Sequence, residues 1–331
     1  MKIAVDAMGG DFGSSPLVQG ALQALKDRDF TLVLVGDEQV IAPLVPAEYK
    51  QRVEIVHCTD FITMEEGATS ALKRKESSIY VAIEMLKAKQ VDAVVSAGHS
   101  GATMSLATLK IGRLKGISRP AICTLMPRID ARKSLVVDAG ANVDCKPENL
   151  FEFGIMGHEY ATAILNYPKA RIGLLANGEE ECKGNEMTKA AFELLKKHPS
   201  FIGNIEGNNI FDSNVEVIVC DGFVGNVVLK TSEGVADSIV FLLRKYIKSS
   251  PIGIFGSLFM KNVFKKLKKQ IDYAEYGGAP LLGVDGNVII CHGKSNAKAM
   301  KNAVFQAILM IQNNVNDKIL HALEQYKTNE D

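Results

Sequence analysis

The sequence predicts an α/β protein: a three-layer α/β/α sandwich on a mostly parallel sheet. Two observations carry that expectation. Short β-branched apolar runs alternate with longer segments of helical periodicity, the pattern that parallel strands joined by crossover helices require. Glycine-rich turns follow the apolar runs repeatedly, as they do beyond the carboxyl ends of strands in open sheets. With 331 residues and 47% hydrophobic content, the chain can bury a large core. No low-complexity tract, Pro-rich linker or solenoid repeat divides it, so 1–331 reads as a single domain.

In order, Lys2 to Val5 reads as the first strand, closed by D-A-M-G-G-D-F-G-S-S-P. Ser14 or Ser15 then serves as N-cap, with Pro16 in the first turn, for a helix through Leu25. Strands are expected at Thr31 to Val35, Val53 to Val56 and Asp92 to Val95, then at Ala121 to Met126 and Ser134 to Val137. Helical periodicity fills Ser77 to Ala88 and Ala102 to Leu114. The second half continues with helix Glu148 to Leu165, strand Arg171 to Leu175 and helix Asn185 to Lys196. Strands at Val215 to Val219 and near Val288 to Ile290 follow, and one long helix, Asn296 to Tyr326, closes the chain.

Formal charge cancels, 38 basic against 38 acidic residues, so there is no global bias toward nucleic acid. Its placement is uneven. Between Ser238 and Ile271 stand eight Lys or Arg and no Asp or Glu, which leaves about −8 on the rest of the chain. The six cysteines are scattered, without C-x-x-C or zinc spacing, and read as buried thiols in a reducing cytosol. Asp6 interrupts the first apolar run too early for a signal peptide. No run approaches the ~18 apolar residues of a spanning helix. A cytoplasmic protein is expected.

The stretch Val215 to Gly234 combines strand, D-G-F-V-G-N turn and helix start. Gly222 and Gly225 would let backbone approach a ligand, and the first helical N–H groups would face an anion. Asn226 adds an amide donor and Lys230, one turn on, a charge. A plain βα turn would show the same letters. Similar turns lie at Asp6–Asp11, Ser96–Ala102, Asp138–Asn142, Asn177–Glu186 and Tyr276–His292. Six of them suggest one crevice for a small anionic group. Neither G-x-G-x-x-G after a strand nor G-x-x-x-x-G-K-[ST] occurs, which removes the main support for dinucleotide and P-loop readings.

Taken in order, D-A-M-G-G-D, S-A-G-H-S-G-A, D-A-G-A-N, G-E-E-E-C-K-G-N-E, I-G-N-I-E-G, C-D-G-F-V-G-N-V-V-L-K, Y-G-G-A-P-L-L-G and H-G-K-S run from Asp6 to Ser295. This series resembles the bacterial acyl-[acyl carrier protein]:phosphate acyltransferase family. The resemblance implies a homodimeric α/β/α enzyme of the isopropylmalate dehydrogenase and phosphate acetyltransferase type. It also implies conversion of acyl carrier protein thioesters and inorganic phosphate to acyl phosphate and free carrier protein, early in phospholipid synthesis. Two departures stand out: His99 and Ser100 occupy positions expected as Asn and Thr, and Ala176-Asn177 precedes Gly178 where Asn followed by an apolar residue is expected.

Phosphate near neutral pH is already an anionic nucleophile, so attack on a thioester needs no Ser, Cys or metal hydroxide; positioning and oxyanion stabilisation suffice. No metal and no cofactor are expected. The matching block favours a catalytic role for Lys183, against the ordinary reading of a solvated loop lysine. Asn226 and Asn142 are expected as amide donors to phosphate or carbonyl oxygen, against turn-forming Asn. Gly98, Ser100 and Gly101 are expected to bind substrate with Gly222, Gly225 and Lys230. His292 is a candidate donor, though a lone His before Gly is as often a turn residue. Asp6, Asp11, Asp138 and Asp221 cannot directly cradle an anion and should orient the Lys and amide donors or cap turns. Glu179 to Glu181 reads as a solvated face. Competing classes are a small-acyl CoA phosphotransferase, a nicotinamide-dependent decarboxylating dehydrogenase of the same fold, and a non-catalytic membrane adaptor. The dehydrogenase lacks its arginine cluster and paired Asp ligands here.

Residues 238–272 read as a helical hairpin facing an anionic membrane surface, which would hold the protein peripherally at the inner face of the cell membrane. Ser249-Ser250-Pro251 breaks the first arm, and Ile254, Phe255, Leu258 and Phe259 form an apolar tip. The second arm puts Val263, Phe264, Leu267 and Ile271 on one side and lysines, Lys261 and Lys265 among them, largely on the other. The alternative is an ordinary helix pair in a dimer interface.

Overall fold

A computed structural model describes residues 1–212 and 214–327. The first part of the chain lays down β1 (Lys2–Asp6), α1 (Ser14–Asp27), β2 (Thr31–Gly36), α2 (Glu38–Ile41) and β3 (Val53–His57). It continues with α3 (Ser78–Lys87), β4 (Ala93–Ser96), α4 (Ser100–Leu106), β5 (Ala121–Pro127) and β6 (Lys133–Val137). Next come α5 (Pro147–Ile164), β7 (Ile172–Leu175), α6 (Glu186–Leu195), β8 (Phe201–Ile205) and β9 (Val217–Val219). Helices α7 (Gly222–Lys248), α8 (Pro251–Phe259) and α9 (Lys261–Ile271) follow in succession. Strands β10 (Ala279–Leu282) and β11 (Asn287–Ile290) and helices α10 (Ala297–Gln312) and α11 (Val315–Lys327) complete it.

All eleven strands join one sheet in the order β3-β2-β1-β4-β11-β10-β5-β6-β9-β7-β8. Successive side chains of a strand point to opposite faces, and here both faces are covered. Ile3 and Val5 pack with Leu17, Leu25 and Met300 on one side. Ala4, between them, packs with Ile79, Ile83 and Leu106 on the other. That is the expected three-layer arrangement.

Two parallel blocks make up the sheet. Strands β3, β2, β1, β4 and β11 run one way, and β6, β9, β7 and β8 run together. Between them β10 pairs antiparallel with both β11 and β5, and β5 antiparallel with β6, so the second block points opposite to the first. Register brings their carboxyl ends together. Ile290 at the end of β11 faces Ala279, Leu281 faces Ile122, and Cys123 faces Val137 at the end of β6. Counting across, the two ends differ by one residue step, about 3.3 Å along the strands. Loops leaving both blocks therefore meet at one belt.

Several expectations are corrected. Strand β8 and strand β10 were not foreseen; the second lies inside the glycine-rich stretch read as a turn. The long closing helix is two helices, because Asn314 takes a left-handed φ of 48°, a conformation Asn tolerates. Gly13 rather than a serine stands at the N-cap of α1, with no side-chain cap bond. The expected apolar tip is itself a helix, α8, capped by Ser250, whose side chain accepts from the Gly253 N–H. Of the six thiols, Cys182 is exposed and Cys145 half-buried.

Two buried ionisable groups show how the interior treats charge. Glu216 bonds Arg128 at 3.0 Å and Arg171 at 2.7 Å. Burial works to raise its pKa, but the two guanidinium groups outweigh it and hold the carboxyl below its ordinary range. His198, after α6, packs edge-on to His158 and stacks on Tyr326, with Nδ1 accepting from Ser200 N–H at 3.1 Å. Burial, reinforced by His158, pushes it down to about 4 from an ordinary 6.5. The unfolded chain takes up this proton near 6.5 and the folded chain only near 4. Stability is therefore lost as pH falls through that window, by about 3 kcal/mol in total. Replacing His198→Asn keeps an acceptor for Ser200 and should flatten the decline of unfolding free energy with acid; an unchanged slope would assign the decline to other groups.

Candidate active site

The site is assembled from turns at the belt, beginning with the Asp138 turn. The buried Asp138 carboxylate accepts N–H bonds from Ile122 (3.1 Å), Gly140 (3.1 Å), Ala141 (3.0 Å) and Asn142 (2.7 Å), and one from the Asn142 side-chain amide (2.9 Å). Burial raises its pKa, and these donors oppose the rise. Against this turn sits the start of α7. Asp221 caps the helix by accepting from Val224 N–H at 2.9 Å, and Gly222 N–H donates to Asn142 O at 2.7 Å.

Three sequence-based expectations change here. A Cβ at Gly222 would lie 2.7 Å from Asn142 O and 2.8 Å from an Asp138 oxygen, and one at Gly225 would overlap the Asp138 carbonyl oxygen. What presses on both glycine positions is the protein's own Asp138–Asn142 turn. Asn142 is not an available donor either, since its amide hydrogens go to Pro120 O (2.7 Å) and Asp138 (2.9 Å). Lys230 does reach the site, but its ammonium is 2.8 Å from Glu233, so its charge is matched within the wall.

The turns of the first block interlock similarly. Asp6 is buried, accepts from Ser96 Oγ at 2.7 Å and Met8 N–H at 3.2 Å, and has its pKa raised chiefly by that burial. Ser96 Oγ in turn accepts from Gly98 N–H at 3.1 Å. A Cβ at Gly98 would stand 3.3 Å from Gly9 Cα, and one at Gly101 would stand 2.9 Å from Ala68 Cβ. Both glycines serve turn packing, outside the cavity wall. His99 caps α4, its Nδ1 accepting from Ala102 N–H at 3.1 Å. Asp11 ties the first turn to the last through its N–H and Gly293 O at 2.8 Å. His292 Nδ1 accepts from Lys294 N–H at 3.0 Å, so the neutral ring carries its hydrogen on Nε2.

Between the blocks lies a cavity of about 780 Å³, within the usual range for a small-molecule site. Its polar lining includes Ser100, Thr124, Asn226, the Lys230–Glu233 pair, Tyr276 and His292, with Gly140 beside Asn226. Gly140, with φ of 137°, has its Cβ position 3.6 Å from the Asn226 side chain. The Asn226 amide has no hydrogen-bond partner among the described residues. The remaining wall is largely apolar, formed by Ile122, Leu125 and Met126 of β5 and Val235, Ile239 and Leu243 of α7. Lys183 lies outside it, half-buried in the β7–α6 loop. That loop is shaped by Gly184 N–H donating to Asn177 Oδ1 at 2.9 Å, and the Lys183 stem lies against Gly178. Because β7 neighbours β9, the loop flanks the start of α7.

A sequence model described as a fatty acid synthesis protein matches residues 1–318. The chain is 63% identical over 330 residues to the phosphate acyltransferase of Wolinella succinogenes, covering 100% of both. It is 58% identical to that of Campylobacter concisus, with 98% of this chain and 99% of the relative covered. The chain belongs to the phosphate acyltransferase family. It is accordingly an acyltransferase of fatty acid and phospholipid synthesis. Among solved structures, a Streptococcus pyogenes phosphotransacetylase has a TM-score of 0.63 at 15% identity, over 94% of each chain. An Enterococcus faecalis branched-chain phosphotransacylase has 0.58 at 12%, over 94% of this chain and 99% of the other. These likenesses establish the fold alone.

Within this phosphate acyltransferase, Phe211, Leu229, Tyr276 and Gly140 line the cavity without having been singled out as site residues. Tyr276 and Gly140 lay in turns already recognised. Phe211 carries no local signal, because it reaches the wall through Ile129 N–H donating to its carbonyl at 2.9 Å.

Proposed function

We propose that this phosphate acyltransferase converts long-chain acyl carrier protein thioesters and inorganic phosphate to acyl phosphate and free carrier protein. A phosphate oxygen bonds to the thioester carbonyl carbon, the C–S bond breaks, and the carrier's sulfur takes a proton, leaving a free thiol. One observation supports this reading above others: a single cavity carries hydrogen-bonding side chains beside an apolar wall long enough for an aliphatic chain. Asn226 is the donor assigned to phosphate or the developing oxyanion, with Ser100 and His292 beside it in the cavity wall. Lys183 offsets phosphate charge from the flanking loop. Direct attack is favoured because Cys291, in the cavity wall, has its thiol pushed up to about 12 by burial and is no ready nucleophile at neutral pH. Incubating the enzyme with palmitoyl carrier protein should release free thiol only when phosphate is present, and mass analysis should find palmitoyl phosphate. Release without phosphate, yielding free fatty acid, would make the enzyme a thioesterase instead.

The reading extends to quaternary and membrane association. No helix among the described residues is long and apolar enough to cross a membrane, so contact with a bilayer would be peripheral. Residues 238–272 form the proposed docking hairpin, and the side chain of Ile271 lies outside the described residues. Ile254, Phe255, Leu258 and Phe259 are 50%, 64%, 67% and 77% exposed, which supports insertion. Lys261 and Lys265 are exposed nearby, and each basic residue facing an anionic leaflet contributes about 1 kcal/mol. The exposed Val224 and Val227 near the start of α7 support pairing with a second copy. The double variant Leu258→Glu with Phe259→Glu should stop sedimentation with anionic liposomes while acyl transfer from soluble thioester persists. Binding that survives this change, or that is equal on neutral lipid, would remove the hairpin from membrane docking.

A further inference from the structure

Both long walls of the cavity start at the Asp138 turn and run the same way. Helix α7 begins there, with Asn226 beside Gly140, and its cavity residues extend to Leu243, about 25 Å along the helix. Strand β5 begins there too, its Ile122 N–H bonded to the Asp138 carboxylate at 3.1 Å. It ends at Pro127, about 17 Å on. The polar side chains that α7 gives to the cavity lie in its first part, from Asn226 to Glu233 with Leu229 among them, and from Val235 to Leu243 its lining is apolar. A substrate with its reacting carbonyl near Asn226 would thus lay its chain toward the far end.

Two lining residues, Phe211 and the 43% exposed Leu267, stand at that far end. Beyond Pro127, Ile129 N–H donates to Phe211 O at 2.9 Å, which brings Phe211 into the wall. Gln270 Nε2 donates to Arg128 O at 2.8 Å, and the Gln270 carbonyl accepts from the Tyr276 hydroxyl at 2.5 Å. These bonds anchor the last turn of α9 beside the end of β5. Leu267, one helical turn earlier and on the same side as Gln270, faces the cavity.

Building on the acyl-transfer reading above, we propose that Phe211 and Leu267 close the distal end of the acyl site and set the longest chain the enzyme accepts. Neither residue touches the reacting atoms; both act on specificity through the space they leave. An apolar pocket distinguishes chains by about tenfold or more for a methylene that no longer fits.

The test compares kcat/KM for carrier protein thioesters from octanoyl to stearoyl in the parent, Phe211→Ala and Leu267→Trp. Phe211→Ala should move the optimum to longer chains. Leu267→Trp should lower the stearoyl value about tenfold or more relative to octanoyl, while octanoyl transfer stays near the parent's and reports an intact fold. Parallel changes at every length, or an unchanged profile in both variants, would overturn the assignment while leaving the acyl-transfer reading standing. A parent that makes no acyl phosphate from any member of the series would overturn that reading and this assignment with it.

Discussion

Gly225→Ala should destabilise the fold at the active site rather than tune phosphate affinity. Gly225 is buried in the first turns of α7, where an added methyl would overlap the Asp138 carbonyl oxygen and stand 3.0 Å from Cys220 Sγ. Backbone cannot swing aside as a flexible side chain can, so helix and turn must separate. Overpacking of this kind costs about 3 kcal/mol or more when the obstacle is rigid. The turn being displaced also supplies Gly140 to the cavity, so activity should fall together with stability. Gly234 provides the contrast. It lies in the same helix with nothing within 4 Å of its Cβ position, so Gly234→Ala should gain up to about 1 kcal/mol of helix propensity. Urea midpoints of the two variants should therefore move in opposite directions. If Gly225→Ala unfolds where the parent does and only its phosphate KM rises, the glycine serves the anion after all.

Asn226→Ala should lower kcat by a factor of about 10²–10³, equivalent to about 2.7–4 kcal/mol, the usual range for loss of one oxyanion donor. The fold should be spared. Asn226 is exposed at the cavity, its amide bonds no other described residue, and Ala is the better helix former. This combination separates it from Asn142, whose amide holds Pro120 and Asp138 and whose loss would unsettle the turn. Single-turnover rates at saturating phosphate are the informative measurement, because an effect confined to KM would indicate uniform binding. A single-turnover rate equal to the parent's would strike Asn226 from the chemistry.

Much of the architecture was legible from local signals. Strand and helix alternation, the glycine turns and the unbroken basic segment each depend on residues near one another in sequence. Most element boundaries followed from periodicity and turn chemistry. The missed elements are informative. In β10, A-P-L-L sits among glycines that signal a turn, and its strand character comes from pairing with β11 on one side and β5 on the other. The break before α11 could have been suspected from Asn313-Asn314, yet the apolar periodicity continues across it.

At the active site the division is sharper. The sequence by itself determined which residue types stand at the turns, and hence that amides, hydroxyls and glycines would line the belt. Only the tertiary structure decided what each one faces. Gly225 meets the Asp138 carbonyl, Asn142 spends its amide inside its own turn, and Lys230 finds Glu233, whereas Asn226 is left to the cavity. A donor is available to a ligand only if no nearer acceptor has claimed it, and a glycine is needed only where something presses on it. The Asp138 turn meets α7 through the parallel pairing of β6 with β9, and the reversal of strand direction through β10 and β5 carries the turns of the first block to the same cavity. That reversal brings together segments more than a hundred residues apart, a long-range pairing that no local pattern encodes.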